Sequence, residues 1–235
     1  MRGYIIIGHR GATGLAPENT LLSFRTAMNL GAHMVELDIH ETLDGHLVCI
    51  HDGTVERTTN GTGTVAEMTL QELRTFDAGQ GEKIPLLYEV LDLVRNRMRV
   101  NIELKTLGVE KNVEEQVVSR NMIDEVIVSS FFPANLLAMK ELNPEIKTAI
   151  LVSYPMNDLI PYTMELGSDA VNPRFSFVSN EMIEEAHKNS LKIYPWTVND
   201  GSQMHMLLQM GVDGIITDFP NLGLEVLKGF NESSL

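Results

Sequence analysis

The sequence predicts an α/β fold: a single (β/α)8 TIM barrel over residues 1–235, with a small insertion at 53–84. Two observations carry this. Apolar, β-branched runs alternate with helix-like segments to give eight strand–helix units. The ionisable residues that could do chemistry also cluster where those runs end, which is the face at which such a barrel places its active site. The length of 235 residues suits one large core, since barrels of this size do not divide.

The first strand is the run 4–8, which stops abruptly at His9-Arg10-Gly11. Asn19 or Thr20 caps a helix running through Met28, and Gly31 stops it. A second strand follows at 34–38. Its continuation meets Asp44-Gly45, the dipeptide of a two-residue hairpin turn. If Leu43 faces His46, pairing steps back until Asp38 lies opposite His51, with Glu36 on the same face. The arm at 47–51 follows too closely for a parallel crossover, so it is an antiparallel excursion from the rim. Residues 53–81 are rich in Thr and Gly, with one helix-like piece at 69–76 begun by the capping pattern T-L-Q-E.

A helix over 85–97 leads into the strand R-V-N-I-E-L-K, and the alternation then becomes regular. Helices at 109–121, 133–142, 157–166, 180–189, 201–210 and 221–228 interleave with five apolar runs. Those runs are V-I-V-S-S-F, T-A-I-L-V, A-V-N-P-R-F, K-I-Y-P-W-T-V-N and G-I-I-T-D.

With 18 Lys and Arg against 32 Asp and Glu, the formal charge of −14 excludes a nucleic-acid surface and a patch for anionic membranes. The lone Cys49 excludes an intrachain disulfide and a cysteine metal cluster, and it points to a reducing compartment. The amino-terminal apolar run is too short for a signal peptide, and nothing approaches the ~20 apolar residues of a membrane span. A cytoplasmic protein without stable membrane insertion is expected, and the sequence carries no signal for an oligomeric state.

Strand ends supply the chemistry. His9 and Arg10 follow the first strand, Glu36 and Asp38 lie on the second, and Glu103 and Lys105 on the third. Ser129 and Ser130 end the fourth, Trp196 and Asn199 the seventh, and Asp218 the eighth. Three carboxylates at alternate positions on adjacent strands suit a hard divalent cation, Mg²⁺ or Ca²⁺. Arg10 and Lys105 beside that cation suit a phosphoryl group. His9 and His51 approach from different strands, as expected where one proton is removed and another delivered. Walker, dinucleotide-binding and G-x-S-x-G patterns are absent. The set favours metal-assisted cleavage of a phosphoester.

The stretches G-H-R-G-A-T-G-L-A-P-E-N-T, E-L-D-I-H-E-T-L-D-G-H-L-V-C-I-H-D, R-T-T-N-G-T-G, N-I-E-L-K, W-T-V-N and G-V-D-G-I-I-T-D-F-P run in order from Gly8 to Pro220. Together they resemble the glycerophosphodiester phosphodiesterase family. The resemblance implies a barrel shared with phosphatidylinositol-specific phospholipases C and hydrolysis of glycerophosphodiesters to an alcohol and sn-glycerol 3-phosphate. It implies His9 and His51 as the catalytic pair and Glu36, Asp38 and Glu103 as metal ligands. Arg10 and Lys105 match phosphate-facing cations, and Trp196 matches an aromatic lining the substrate pocket. One departure is the insertion exit I-P-L-L-Y-E, where members often have Thr and Glu at the positions of Leu86 and Tyr88.

Taken singly, His9 is more often a hydrogen-bonded structural histidine, the His51–Asp38 pairing could merely brace a ribbon, and Trp196 could be core. Convergence of all of them on one face favours function. Ser129 and Ser130 read as satisfying backbone groups. His33, His40, His46, His187 and His205 read as surface residues, and Asp218 as a turn or supporting residue. Two rival readings remain beside the hydrolase: a lysophospholipase D-like activity, and a barrel that binds glycerophosphodiesters without turnover.

Overall fold

The computed structural model describes residues 3–233. Its strands are β1 (Ile5–Gly8), β2 (Met34–Glu41), β3 (Leu47–Cys49), β4 (Arg99–Leu104), β5 (Val126–Ser130), β6 (Lys147–Val152), β7 (Ala170–Pro173), β8 (Lys192–Ile193) and β9 (Gly214–Thr217). The helices are α1 (Leu21–Leu30), α2 (Leu70–Leu73), α3 (Leu87–Val94), α4 (Glu110–Ser119), α5 (Pro133–Leu142), α6 (Leu159–Glu165), α7 (Asn180–Lys188), α8 (Gly201–Met210) and α9 (Pro220–Ser233). Parallel pairing runs β8-β7-β6-β5-β4-β2-β1-β9, while β3 pairs antiparallel with β2 alone. Backbone N–H groups of Asp213, Ile216 and Val198 donate to Ile193, Pro195 and Ile216 at 3.0 Å each, joining the two ends of that order into a barrel.

β8 is shorter than the run 192–199. Tyr194 and Trp196 donate to β7 residues, Val198 donates to β9, and Pro195 between them has no N–H to give. The segment changes partner instead of holding one ladder.

The period of two along each strand separates two cores. On β2, Val35, Leu37 and Ile39 pack outward with Leu87, Val90 and Leu91 of α3. The alternate residues face inward. Near the amino ends of the strands the interior is apolar, filled by Ile5, Ile7, Met34, Ile127, Tyr194 and Ile216 around the small Ala149 and Ala170. Nearer the carboxyl ends the inward positions turn polar, and the site lies there.

Capping decides the helix bounds. Thr20 accepts from the Ser23 N–H, and Gly31 ends α1 at φ +91°. Asn19 is not the cap; it holds Asp38. α2 is a single turn, shorter than the 69–76 pattern, opened by the Thr69–Glu72 capping box. The Lys83 ammonium closes off that stretch by donating to the carbonyls of Thr75 and Phe76. At α3 the departure at Leu86 leaves half a capping box: Leu86 has no side-chain oxygen, but Glu89 still accepts from its N–H at 2.8 Å.

Between β3 and α3 the chain builds a small core of its own, with Val55, Val65, Leu73 and Ile84 on Val48 and Ile50. The hairpin that carries it corrects the expected register. Thr42 and His46 flank a three-residue loop, with the Gly45 N–H donating to Thr42 O at 3.0 Å and Gly45 at φ +80°. That is a type I turn followed by a left-handed residue. The ladder is Ile39↔Cys49, His40↔Val48 and Glu41↔Leu47, which sets Ile50 and not His51 against Asp38.

Candidate active site

His9 and Arg10 sit where β1 turns sharply. Gly8 has no room for a side chain, since a Cβ there would lie 2.0 Å from the Gly11 carbonyl oxygen. Arg10 takes a left-handed φ of +50°, an uncommon conformation for a residue other than glycine. The compensation is visible: its N–H donates to Glu36 Oε2 at 2.8 Å, while the Ser23 hydroxyl donates to its carbonyl at 3.0 Å. The strained turn thus aims Arg10 at the carboxylates.

Glu36, Asp38 and Glu103 are buried on adjacent strands, with one oxygen from each lying within 4.8 Å of the others. Burial, then repulsion from its neighbours, pushes Glu36 well above the usual carboxylate range, and the same causes push Glu103 up. Asp38 goes the other way. Burial opposes its ionisation, but Lys105 Nζ at 2.9 Å and Arg10 Nε at 3.3 Å hold it low. Asn19 adds a 2.8 Å hydrogen bond to Asp38 Oδ2. Lys105 also pairs with Glu103. Burial works against the charge on both cations, yet the carboxylates outweigh it and both stay protonated.

This group fits a divalent cation. All donors are carboxylate oxygens, and Glu36 Oε1 is buried with no hydrogen-bond partner. A hard cation satisfies such an oxygen and removes the repulsion that raises Glu36 and Glu103.

Each histidine is backed by a carboxylate. His9 Nδ1 lies 2.6 Å from Asp218 Oδ1, and the other Asp218 oxygen accepts from Asn199 Nδ2 at 2.6 Å. His51 Nδ1 lies 2.6 Å from Asp52 Oδ1. A neutral ring that donates from Nδ1 carries its lone pair on Nε2. Burial pulls His51 below its ordinary value, against the opposing pull of Asp38 and Asp52.

Behind the second dyad runs a chain of charges. Arg57 forks onto Asp52 at 2.6 Å and onto Glu18 at 2.8 Å, and Glu18 accepts from Arg10 Nη1 at 2.8 Å. His51 is thereby tied through three ion pairs to the cation beside Asp38. Glu18 and Arg57 are 39 residues apart, and Asp218 is 209 residues from His9, so sequence spacing could not pair them. Glu18 and Arg57 carry only membership of the A-P-E-N-T and R-T-T-N-G-T-G stretches as a sequence signal, whereas Asp218 also stands at the end of the eighth strand.

All eight residues singled out from sequence converge. His9, Arg10, Glu36, His51, Glu103, Lys105 and Trp196 line one cavity of about 170 Å³, and buried Asp38 lies against Lys105 and Arg10. The far wall is apolar, with Phe131, Leu151 and Ile216. Trp196 donates from Nε1 to Asn172 O at 2.7 Å and meets Phe131 edge-on at 5.6 Å between centroids. His40 corrects the surface reading: it is half-buried, with Nε2 3.0 Å from the His51 carbonyl. His33, His187 and His205 are also partly buried, and of the five only His46 is exposed. A larger depression of about 490 Å³ at the opposite end of the barrel includes His187, Lys192 and Asp213, but these pair with one another.

Comparison with known proteins agrees with this geometry. Residues 9–222 match the model of the glycerophosphoryl diester phosphodiesterase family. A glycerophosphodiester phosphodiesterase of Caldanaerobacter subterraneus subsp. tengcongensis is 39% identical, over 95% of this chain and 98% of that one. A phosphodiesterase of Oleispira antarctica, solved in complex with the product sn-glycerol-3-phosphate, superimposes with a TM-score of 0.86 at 30% identity, covering 95% of this chain and 96% of the other. The glycerophosphodiester phosphodiesterase of Agrobacterium tumefaciens str. C58 gives 0.83 at 30% identity, over 94% and 98%. No helix among the described residues is long and apolar enough to cross a membrane. The chain belongs to the glycerophosphoryl diester phosphodiesterase family and is a phosphodiesterase.

Proposed function

We propose that this chain hydrolyses glycerophosphodiesters to an alcohol and sn-glycerol 3-phosphate, using His9 and His51 as the acid–base pair. The observation that carries this reading is the pair of carboxylate-backed histidines at one cavity that also holds two half-buried cations. Asp218 and Asp52 orient the two rings so that each presents Nε2, one to take the proton of the attacking hydroxyl and one to protonate the leaving alcohol. Arg10 and Lys105 bind the phosphoryl oxygens and stabilise the charge that develops there. Trp196 and Phe131 flank the substrate from the apolar side.

Glu36, Asp38 and Glu103 would hold Mg²⁺ or Ca²⁺, which when bound neutralises the carboxylates and draws charge from the phosphoryl group. The attacking hydroxyl is either water or the glycerol 2-hydroxyl, and trapping a cyclic glycerophosphate identifies the second. We place the reaction in the cytoplasm, on the strength of the unpaired, buried Cys49.

The decisive assay is release of sn-glycerol 3-phosphate from glycerophosphocholine by the purified protein, with metal removed and restored. Binding without turnover overturns the reading. A second reading, lysophospholipase D-like cleavage, is favoured by one observation: an apolar groove of about 240 Å³ at the rim, between Val152, Tyr154, Met156 and Phe177. Faster turnover of lysophosphatidylcholine than of glycerophosphocholine would select it.

A further inference from the structure

Two polar side chains at the inner wall of the cavity do none of the work described so far. Asn101 of β4 and Ser129 of β5 line it and are 1% and 0% exposed. Asn101 Oδ1 and the Ser129 hydroxyl have no hydrogen-bond partner. The neighbouring Ser130 makes the contrast. It faces outward, donates to Leu104 O at 2.8 Å and accepts from Asn135 Nδ2 at 3.0 Å, so it is fully employed in holding β4 to β5. Only the inward serine is left over. A buried hydroxyl or amide oxygen without a partner is costly, so a wall carrying two of them is built for a group that arrives from outside.

Position limits what that group is. Asn101 is in register with Glu36 of β2 and Ser129 with Glu103 of β4, so both lie beside the carboxylates on the inward face. Leu151 and Ile216 line the same cavity, which suits C–H groups. A neutral, short, hydroxyl-bearing chain hanging from the phosphoryl group matches this pattern. An anion does not, since neither group carries positive charge and the Asn101 amide oxygen can only accept. We infer that Asn101 and Ser129 bind the terminal hydroxyl of the glyceryl group and set the enzyme's preference for glycerol over shorter or deoxygenated esters. This deepens the proposed activity and rests on it.

The test uses two chromogenic esters with one leaving group: the 4-nitrophenyl diester of glycerol 3-phosphate, and 2-hydroxypropyl 4-nitrophenyl phosphate. The second keeps the 2-hydroxyl and lacks only the terminal one. A site built to hydrogen-bond a hydroxyl rejects the analogue without it, and a preference of at least ~10-fold in kcat/KM for the glyceryl ester is expected. Ser129→Ala and Asn101→Leu should each shrink that ratio toward one. Each ratio is internally controlled, because a variant that turns over either ester is folded. If Asn101→Leu is inactive on both, Ser129→Ala decides. Equal losses on both esters, a shift only in the metal concentration needed for activity, or an unchanged ratio overturns the inference. So does a wild-type enzyme that cleaves the two esters equally well. If the wild type cleaves neither ester nor glycerophosphocholine, the proposed activity itself has failed, which is a different result.

Discussion

Asp218→Asn separates the orientation of His9 from the mere presence of a polar neighbour. The substitution is nearly isosteric, and the surroundings dictate how the new amide must lie. Asn199 Nδ2 donates to one Asp218 oxygen at 2.6 Å, so that position must remain an oxygen. Asn199 cannot turn over to accommodate a reversed amide, because its own Oδ1 accepts from the Asp218 N–H at 3.0 Å and from Thr217 Oγ1 at 3.2 Å. The amide nitrogen is therefore left facing His9 Nδ1, where the wild type has an oxygen at 2.6 Å. Two donors cannot face each other. His9 must either carry its proton on Nε2, where it no longer has a lone pair to offer, or resist protonation altogether. Base and acid roles both fail, so the prediction holds whichever role His9 plays. A wrong-tautomer histidine of this kind lowers kcat by about 10³- to 10⁴-fold, whereas stability should change by only about 1 kcal/mol for one exchanged hydrogen bond. Release of sn-glycerol 3-phosphate from glycerophosphocholine measures the first, thermal unfolding the second, and ¹⁵N NMR of the His9 ring reads the tautomer directly. An Asp218→Asn enzyme within threefold of wild-type kcat refutes the dyad argument.

Arg57→Ala should lower kcat about tenfold by freeing Asp52 and Glu18, both held by its guanidinium at 2.6–2.8 Å. Since Arg57 is half exposed, stability should fall by less than about 1 kcal/mol, and a stability loss without a kinetic one would assign the chain of charges to structure. Metal removal should abolish turnover and lower the unfolding temperature, because the repulsion that raises Glu36 and Glu103 is left unrelieved; saturating Mg²⁺ or Ca²⁺ at 100 times its Kd should restore about 2.7 kcal/mol. Glu36→Gln should abolish that metal-dependent rise in calorimetry. On the opposite face, Asp169 accepts from Lys140 at 2.7 Å, Lys147 at 3.0 Å and the Thr148 N–H at 3.0 Å, and these outweigh burial to hold it below its ordinary 3.8. A depressed carboxylate stabilises the fold above its unfolded value and loses that stabilisation as pH falls through its folded value. Asp169→Asn should therefore cost about 1 kcal/mol at pH 7, after allowing for solvent screening. The gap to wild type should begin to narrow below about pH 3.8 and close once pH has passed the folded value, with kcat unaffected; a gap that persists in stronger acid points to lost packing instead.

Sequence periodicity reached the barrel because its cause is local. Leu37 and Ile39 must alternate with Asp38 on any strand buried on one face and lining a site on the other, and Thr20, Gly31, Pro133 and Gly211 mark helix ends by their own backbone preferences. The carboxylate cluster was legible for the same reason, since Glu36 and Asp38 share a face by spacing alone and Glu103 lies on the next barrel strand. What sequence could not supply were partners brought together by closure. Asp218 meets His9 only because β9 lies beside β1. Ser129 and Ser130 look identical in sequence, and only the strand's orientation separates the bonded hydroxyl from the unbonded one.

The hairpin at Asp44-Gly45 shows how a residue can reach the cavity by a route other than the register expected for it. Asp-Gly serves equally well as the centre of a two-residue turn or as the last two residues of a three-residue loop, and the two differ by one step of pairing. Thr42 decides between them. Its hydroxyl donates to Asp44 Oδ1 at 2.6 Å and accepts from the His46 N–H at 2.9 Å, which closes the longer loop. Asp44 also accepts from the Leu70 N–H at 2.9 Å, tying the turn to α2 and its small core. Under that register Ile50 opposes Asp38 and packs with the insertion, so ladder geometry alone would not bring His51 to the carboxylate cluster. The chain gets there by leaving the ladder after Cys49, with the His51 carbonyl 3.0 Å from His40 Nε2 and its ring backed by Asp52. Placement of His51 at the cavity therefore depends on the insertion core and the Arg57–Glu18 fork, both outside the barrel strands. That dependence gives the insertion a reason to be packed rather than loose: it is the mould in which the second histidine is set.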